Sequence, residues 1–203
     1  MKIVDIHLHA SGRETSHGVL DALDAAGVDL ACILAPFLHE PYTLRDHASL
    51  QAANDHVAAL VRGHRDRLVG FGVVNPALPG AVDEVERCVA DLGLRGLKMV
   101  PSGWYPYDEA ACTVYARAEA WRLPILFHSG VFIDGRSSRY CRPAYFEALR
   151  DYPGLRTTLA HLGWPWSDEA IAVCCIDRIR GLLPTECQFR LDLSFGPPPS
   201  YRA

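Results

Sequence analysis

Short apolar runs alternate with longer amphipathic stretches along the whole chain. The first run, IVDIHLH, alternates apolar and polar positions as a half-buried strand does. After it, SHGVLDALDAAG carries Val19, Leu20, Leu23 and Ala26 at helical spacing, with Ser16 as cap and Gly27 as stop. VDLACILAP predicts the second strand, and the Ala-rich stretch from about Thr43 to Arg65 predicts a helix. LVGFGVVNP follows as the third strand. From about Gly80 to Leu92, Val82, Val85, Val89 and Leu92 share a helical face ahead of the fourth strand, LRGLKMVP.

The alternation continues to the end. Asp108 is placed to cap a helix through Trp121, and LPILFHSG is the fifth strand. Pro143 stands where a first-turn proline belongs, before AYFEALRDYP, and LRTTLAHLG is the sixth strand. Ser167 is positioned to cap SDEAIAVCCIDRIRGLL; QFRLDLSFG is the seventh strand, and PPPSYRA reads as a loop or a frayed end.

Strands alternating with helices describe a parallel sheet covered by helices. No linker divides residues 1–203, which are expected to form one domain. A doubly wound open sheet lacks support, because no strand is followed by the Gly-rich turn of a dinucleotide site. A TIM-type (β/α)8 barrel fits the repeat order better. Such a barrel needs about 250 residues and an eighth strand, whereas these 203 residues show seven. The barrel is therefore expected to be C-terminally incomplete, with open edges that favour self-association, a homodimer included.

Composition narrows the partners. A net charge of −4 without any Lys/Arg run argues against nucleic acid or a membrane surface and for a small-molecule substrate. No stretch reaches eighteen apolar residues, and MKIVDIHLHA interleaves polar groups as a signal peptide does not. Seven cysteines without a CxxC pair fit reduced, mostly buried thiols and a cytoplasmic setting.

Polar groups collect at strand ends. Alternation puts Asp5, His7 and His9 on one face of the first strand and Val4, Ile6 and Leu8 on the other, free to pack under helices. Two imidazoles at i and i+2 can share one divalent ion, although an HxH pair also occurs in ordinary exposed strands. His128 and His161 end the fifth and sixth strands, where barrel enzymes carry their chemistry; helix-capping or core histidines are the plainer account of each taken singly. Lys98 ends the fourth strand, either paired with an acid such as Asp5 or Asp192, or near substrate, or carbamylated between two metals. Asp192, in RLDLSF, is a ligand, a cap or, best, an acceptor that holds an imidazole tautomer. Trp104, Tyr105, Arg136, Arg139, Trp164 and Trp166 stand just past strand ends. If the arginines reach inward they suit a carboxylate or phenolate; solvated surface is the alternative.

DIHLH at residues 5–9, GLKMVP at 96–101, ILFHSG at 125–130, LAHLGWPW at 159–166 and LDLS at 191–194 occur in the order of the amidohydrolase superfamily. The chain resembles in particular the amidohydrolase-2 branch, which also holds nonoxidative decarboxylases. That resemblance implies a (β/α)8 barrel with one divalent metal ion, zinc by preference. It also implies ligands at His7, His9 and His128, His161 as the acid or base beside the metal, and Asp5 orienting His7 or His9. The family's last ligand, an aspartate in a GSDxP-like segment ending the eighth strand, has no counterpart here, and Asp192 matches a different family element.

The leading expectation is a metal-dependent hydrolase acting on a small cyclic or carboxylated compound, in which the ion lowers the pKa of its water. Nonoxidative decarboxylation of an aromatic or dienoic acid is the alternative. There Trp164, Trp166, Tyr105 and the two arginines become pocket candidates. A truncated, inactive ligand-binding or interaction protein is the third reading.

Overall fold

A computed structural model describes residues 1–38 and 41–194. PPPSYRA and the end of QFRLDLSFG lie outside these residues. All seven expected strands form, strand order follows sequence order, β1-β2-β3-β4-β5-β6-β7, and pairing is parallel from β1 through β4 and from β5 through β7. The chain divides into two compact units, one ending at Lys98 and the other beginning at Met99.

The first unit holds β1 (Val4–His9), α1 (Ser16–Ala26), β2 (Leu30–Leu34), α2 (His47–Val61), β3 (Leu68–Val73), α3 (Ala81–Ala90) and most of β4 (Gly96–Met99). The α1 helix ends at Gly27 as expected, in the left-handed conformation that glycine adopts without a steric penalty (φ 68°). Its cap is Thr15 rather than Ser16: Thr15 Oγ1 accepts from Gly18 N at 3.2 Å, while Ser16 Oγ donates to Leu60 O. The α2 helix is shorter than its Ala-rich stretch because Asp46 caps it, accepting from Ser49 N.

The buried stripe of α3 is Ala81, Glu84, Val85 and Cys88, rotated from the expected valine face. Glu84 tolerates burial because Asn54 Nδ2 (2.7 Å) and Arg87 donate to its carboxylate. Burial pulls its pKa up, but hydrogen bonds from Arg87, Asn54 and Gln51 outweigh that and leave it below the ordinary value. Asn54 also bonds both backbone groups of Val73, tying α2 to β3.

The second unit holds the end of β4, α4 (Glu109–Ala120), β5 (Ile125–Phe127), β6 (Thr157–Leu159), α5 (Ser167–Ile179) and β7 (Phe189–Leu191). Between β5 and β6 the expected helix is a nine-residue 3-10 segment, Pro143–Asp151, opened by Pro143 as anticipated. Asp108 precedes α4, but its carboxylate accepts from Tyr105 N instead of a helix amide. Ser167 is the first residue of α5 rather than its cap, and its hydroxyl makes no cap bond. Asp177 is on the buried face of α5, where Arg150 and the Gln188 amide satisfy it.

The seven cysteines form no disulfide, and four of them are buried. Among the described residues, no helix is long and apolar enough to cross a membrane.

Candidate functional site

The first strand departs from simple alternation at its histidines. Register pairs Asp5 with Ala31 and His9 with Leu34, so β1 carries one residue more than β2 between these points. Ala31 and Leu34 face opposite sides of β2, and the bulge therefore takes Asp5 off the face that carries His9. Asp5 Oδ1 accepts from the His7 backbone amide at 2.8 Å, a local bond that competes with the sheet ladder. The carboxylate thus stabilises the bulge through the backbone. Val4 and Ile6, expected under helices, are exposed because β1 is the outer strand in the order.

The bulge leaves the two imidazoles converging. His7 Nε2 and His9 Nε2 are 3.1 Å apart, and the rings are tilted by 54°. Phe37 packs edge-on against His9 at 5.0 Å between ring centres. Lys98, 1% exposed, brings Nζ within 3.3 Å of His7 Nε2. His7 Nε2 therefore lies within hydrogen-bond reach of both His9 Nε2 and Lys98 Nζ, and which group donates follows from the tautomers. A metal ion would take the Nε2 lone pairs in place of these contacts. The 3.1 Å separation also suits two nitrogens that each bind one cation at about 2.0–2.1 Å. The donor set of this pair therefore fits a divalent ion. Among the described residues, no group of three or more His, Cys, Asp or Glu side chains gathers as a cation cage. Burial, with Asp5 assisting, pushes the thiol of Cys32, on β2, up to about 11.

The second unit brings two more histidines together. His128 follows the last residue of β5, and its amide donates to Met99 O. His161 lies in a 3-10 turn just past β6, in the left-handed conformation (φ 60°), as is Leu162 (φ 52°). The two rings meet edge to face, 5.1 Å between centres. Non-glycine residues rarely adopt this backbone, and here hydrogen bonds hold it: Leu162 N donates to Asp192 O, and Asp192 N donates to Leu159 O.

Asp192 is buried and its carboxylate accepts from the Ser194 amide, while Ser194 Oγ reaches His161 Nδ1 at 3.0 Å. Ser194 was not singled out in the sequence, although the i to i+2 spacing from Asp192 is that of an Asx-type turn and was a readable signal. Phe132 is the other unforeseen neighbour. Its ring lies flat on His128, 4.1 Å between centres and 7° from parallel, and nothing in the local sequence announces it.

The remaining candidates scatter. Trp104 is 3% exposed, with no hydrogen-bond partner for Nε1 among the described residues. Tyr105 joins a surface cluster with Tyr107, Tyr140 and Tyr145. Arg136 pairs with Asp134 and lies over the Phe132 ring. Arg139 is exposed and donates to the Tyr140 hydroxyl. Trp164 and Trp166 are half-buried, and Trp164 O accepts from Val131 N.

The family profile described as amidohydrolase matches residues 4–177. A TIM-barrel protein from Bordetella bronchiseptica superposes with a TM-score of 0.70 at 19% identity, covering 95% of this chain and 75% of its own. The 5-carboxyvanillate decarboxylase of Sphingomonas paucimobilis gives 0.64 at 18% identity, over 95% of this chain and 80% of its own. A dihydroxybenzoic acid decarboxylase from a Polaromonas species, with bound manganese and the inhibitor 2-nitroresorcinol, gives 0.64 at 16% identity, over 94% and 78%. At these identities the likeness establishes the fold: a (β/α)8-type barrel of which the described residues contain seven strands.

Proposed function

The chain belongs to the amidohydrolase family, and from that premise we propose that it is a metal-dependent decarboxylase of a small aromatic acid. The observation that carries the reading is the convergence of His7 Nε2 and His9 Nε2 beside the buried ammonium of Lys98. That arrangement suits a cation and, next to it, an anionic substrate. The decarboxylases among the structural neighbours favour carbon dioxide release over the hydrolysis that the motifs alone suggest.

In this proposal His7 and His9 would hold one divalent ion, zinc or manganese, and His128 would be the further ligand that the family resemblance implies. When bound, the ion supplies positive charge that anchors the substrate carboxylate and a neighbouring oxygen. Lys98 adds a fixed charge beside His7. His161 is the acid, with Ser194 Oγ held against its Nδ1. The bond between ring carbon and carboxylate breaks, its electron pair passes into the ring, and that carbon takes the proton from His161. Carbon dioxide leaves, and solvent reprotonates the imidazole.

The test begins with metal uptake by the purified chain, followed by carbon dioxide release from hydroxybenzoates and hydrolysis of lactones and amides. One ion per chain and metal-dependent carbon dioxide release are expected. The double variant H7A/H9A loses the ion. S194A keeps the ion and lowers kcat about 2- to 12-fold, the worth of one neutral hydrogen bond. Turnover of lactones or amides alone would replace decarboxylation by hydrolysis; an H7A/H9A protein that still binds the ion at full affinity would refute the ligand assignment.

A further inference from the structure

The loop after β5 carries a stack that the proposed chemistry does not use. Phe132 lies parallel to His128 at 4.1 Å. The Arg136 guanidinium stands 4.2 Å from the centre of the same ring. Two groups so close to one ring centre cannot share a face, so Phe132 is sandwiched between imidazole and guanidinium. Asp134 completes the order, accepting from Arg136 Nε at 2.9 Å and lying 2.7 Å from Nη2. The loop itself is pinned, because Phe132 N donates to Ser138 Oγ at 2.8 Å and Val131 N to Trp164 O at 2.8 Å.

We propose that Phe132 is a positioning residue for His128, fixing the plane of the imidazole for metal binding, with Arg136 clamping Phe132 from its outer face. The proposal rests on the reading of His128 as a ligand. Its physical basis is the torsion between Cβ and the ring, which is broad for histidine and leaves an unrestrained imidazole many orientations. The face of Phe132 and the edge-to-face contact with His161 together confine it. A ligand already held in its binding orientation loses less entropy when the ion arrives, so affinity rises without a new bond to the metal. Packing alone would act differently: it would lower the melting temperature and leave the affinity of the folded protein unchanged.

The experiment titrates the full chain with Co²⁺ and follows its visible absorption, with Mn²⁺ affinity measured in parallel and melting recorded without metal. F132L keeps an apolar side chain but removes the ring face. It is expected to weaken both metals about 3- to 10-fold, on the scale of one aromatic pair, and to change the Co²⁺ band shape while metal-free melting stays put. F132Y restores the wild-type affinity and spectrum. R136M, which removes only the outer clamp, gives a smaller loss of the same kind. It carries the comparison if F132L lowers the melting temperature. Wild-type affinity and spectrum in F132L, or in R136M where F132L melts early, would overturn the proposal. H128A separates the two levels. If H128A binds Co²⁺ like wild type, the ligand assignment itself falls; if H128A loses the ion and F132L does not weaken it, only the role of Phe132 falls.

Discussion

Gly130 offers a quantitative test of how the loops around His128 and His161 are packed. It lies two residues after His128 with φ +90°, and a Cβ built there would sit 2.2 Å from Trp164 O and 2.9 Å from both Gly163 C and Trp164 N. All three are backbone atoms, so no side-chain rotation relieves the overlap. To reach even a 3.0 Å contact the two segments must separate by about 0.8 Å. Trp164 O is also the acceptor for Val131 N, so the same movement strains that bond. Gly130→Ala therefore combines a left-handed backbone penalty of about 1–2 kcal/mol with an overpacking penalty of about 1–3 kcal/mol. Gly135→Ala is the control: its φ is +85° and nothing lies within 4 Å of its Cβ position, so only the backbone penalty applies. For a chain of this length, 1 kcal/mol shifts Tm by roughly 2–4 °C. G130A is expected to melt about 4–20 °C below wild type, and G135A about 2–8 °C below. Scanning calorimetry of the two variants side by side measures the difference. If they melt within about 2 °C of each other, the close approach of Gly130 to the Trp164 backbone does not exist as described.

Two further outcomes follow from the buried polar groups. Asn54→Ala removes both bonds to the Val73 backbone and one to the Glu84 carboxylate, leaving buried groups unsatisfied; a loss of about 3–5 kcal/mol should appear in urea titration as a lower midpoint with an unchanged slope. Glu84 and Asp177 both have folded pKa values below their ordinary ones. For Asp177, burial raises the pKa, but bonds from the Gln188 amide and Arg150 more than offset it. Such groups stabilise the fold fully above the unfolded carboxylate pKa, and the contribution is lost as pH falls through the folded value. Unfolding free energy should therefore drop with acidification below about pH 5, and the drop should be shallower in D177N.

Much of this was legible along the chain. Strand positions were readable because each is a short apolar run between amphipathic stretches, and that pattern is local. Helix ends were less so: Thr15 displaces Ser16, and Asp46 shortens α2, because neighbouring polar residues compete for the same few amides. The helix expected before β6 became a 3-10 segment, a choice between hydrogen-bond patterns that apolar spacing does not encode. Among the candidate residues, His7, His9, His128, His161 and Lys98 stood out as polar residues at strand ends. Their immediate partners did not. The sequence left Arg136 open between an anion-binding group and solvated surface; the structure pairs it with Asp134, two residues earlier.

By itself, then, the sequence determined the βα order, the family, and the placement of histidines at the C-terminal ends of strands, since periodicity and motif are properties of near neighbours in the chain. Tertiary structure alone decided the bulge that sets Asp5 against the His7 amide. It also placed Ser194 on His161, and Phe132 flat on His128. Those contacts depend on register between strands and on how returning loops pack, quantities set by the summed interactions of segments far apart in sequence, and no local pattern records them.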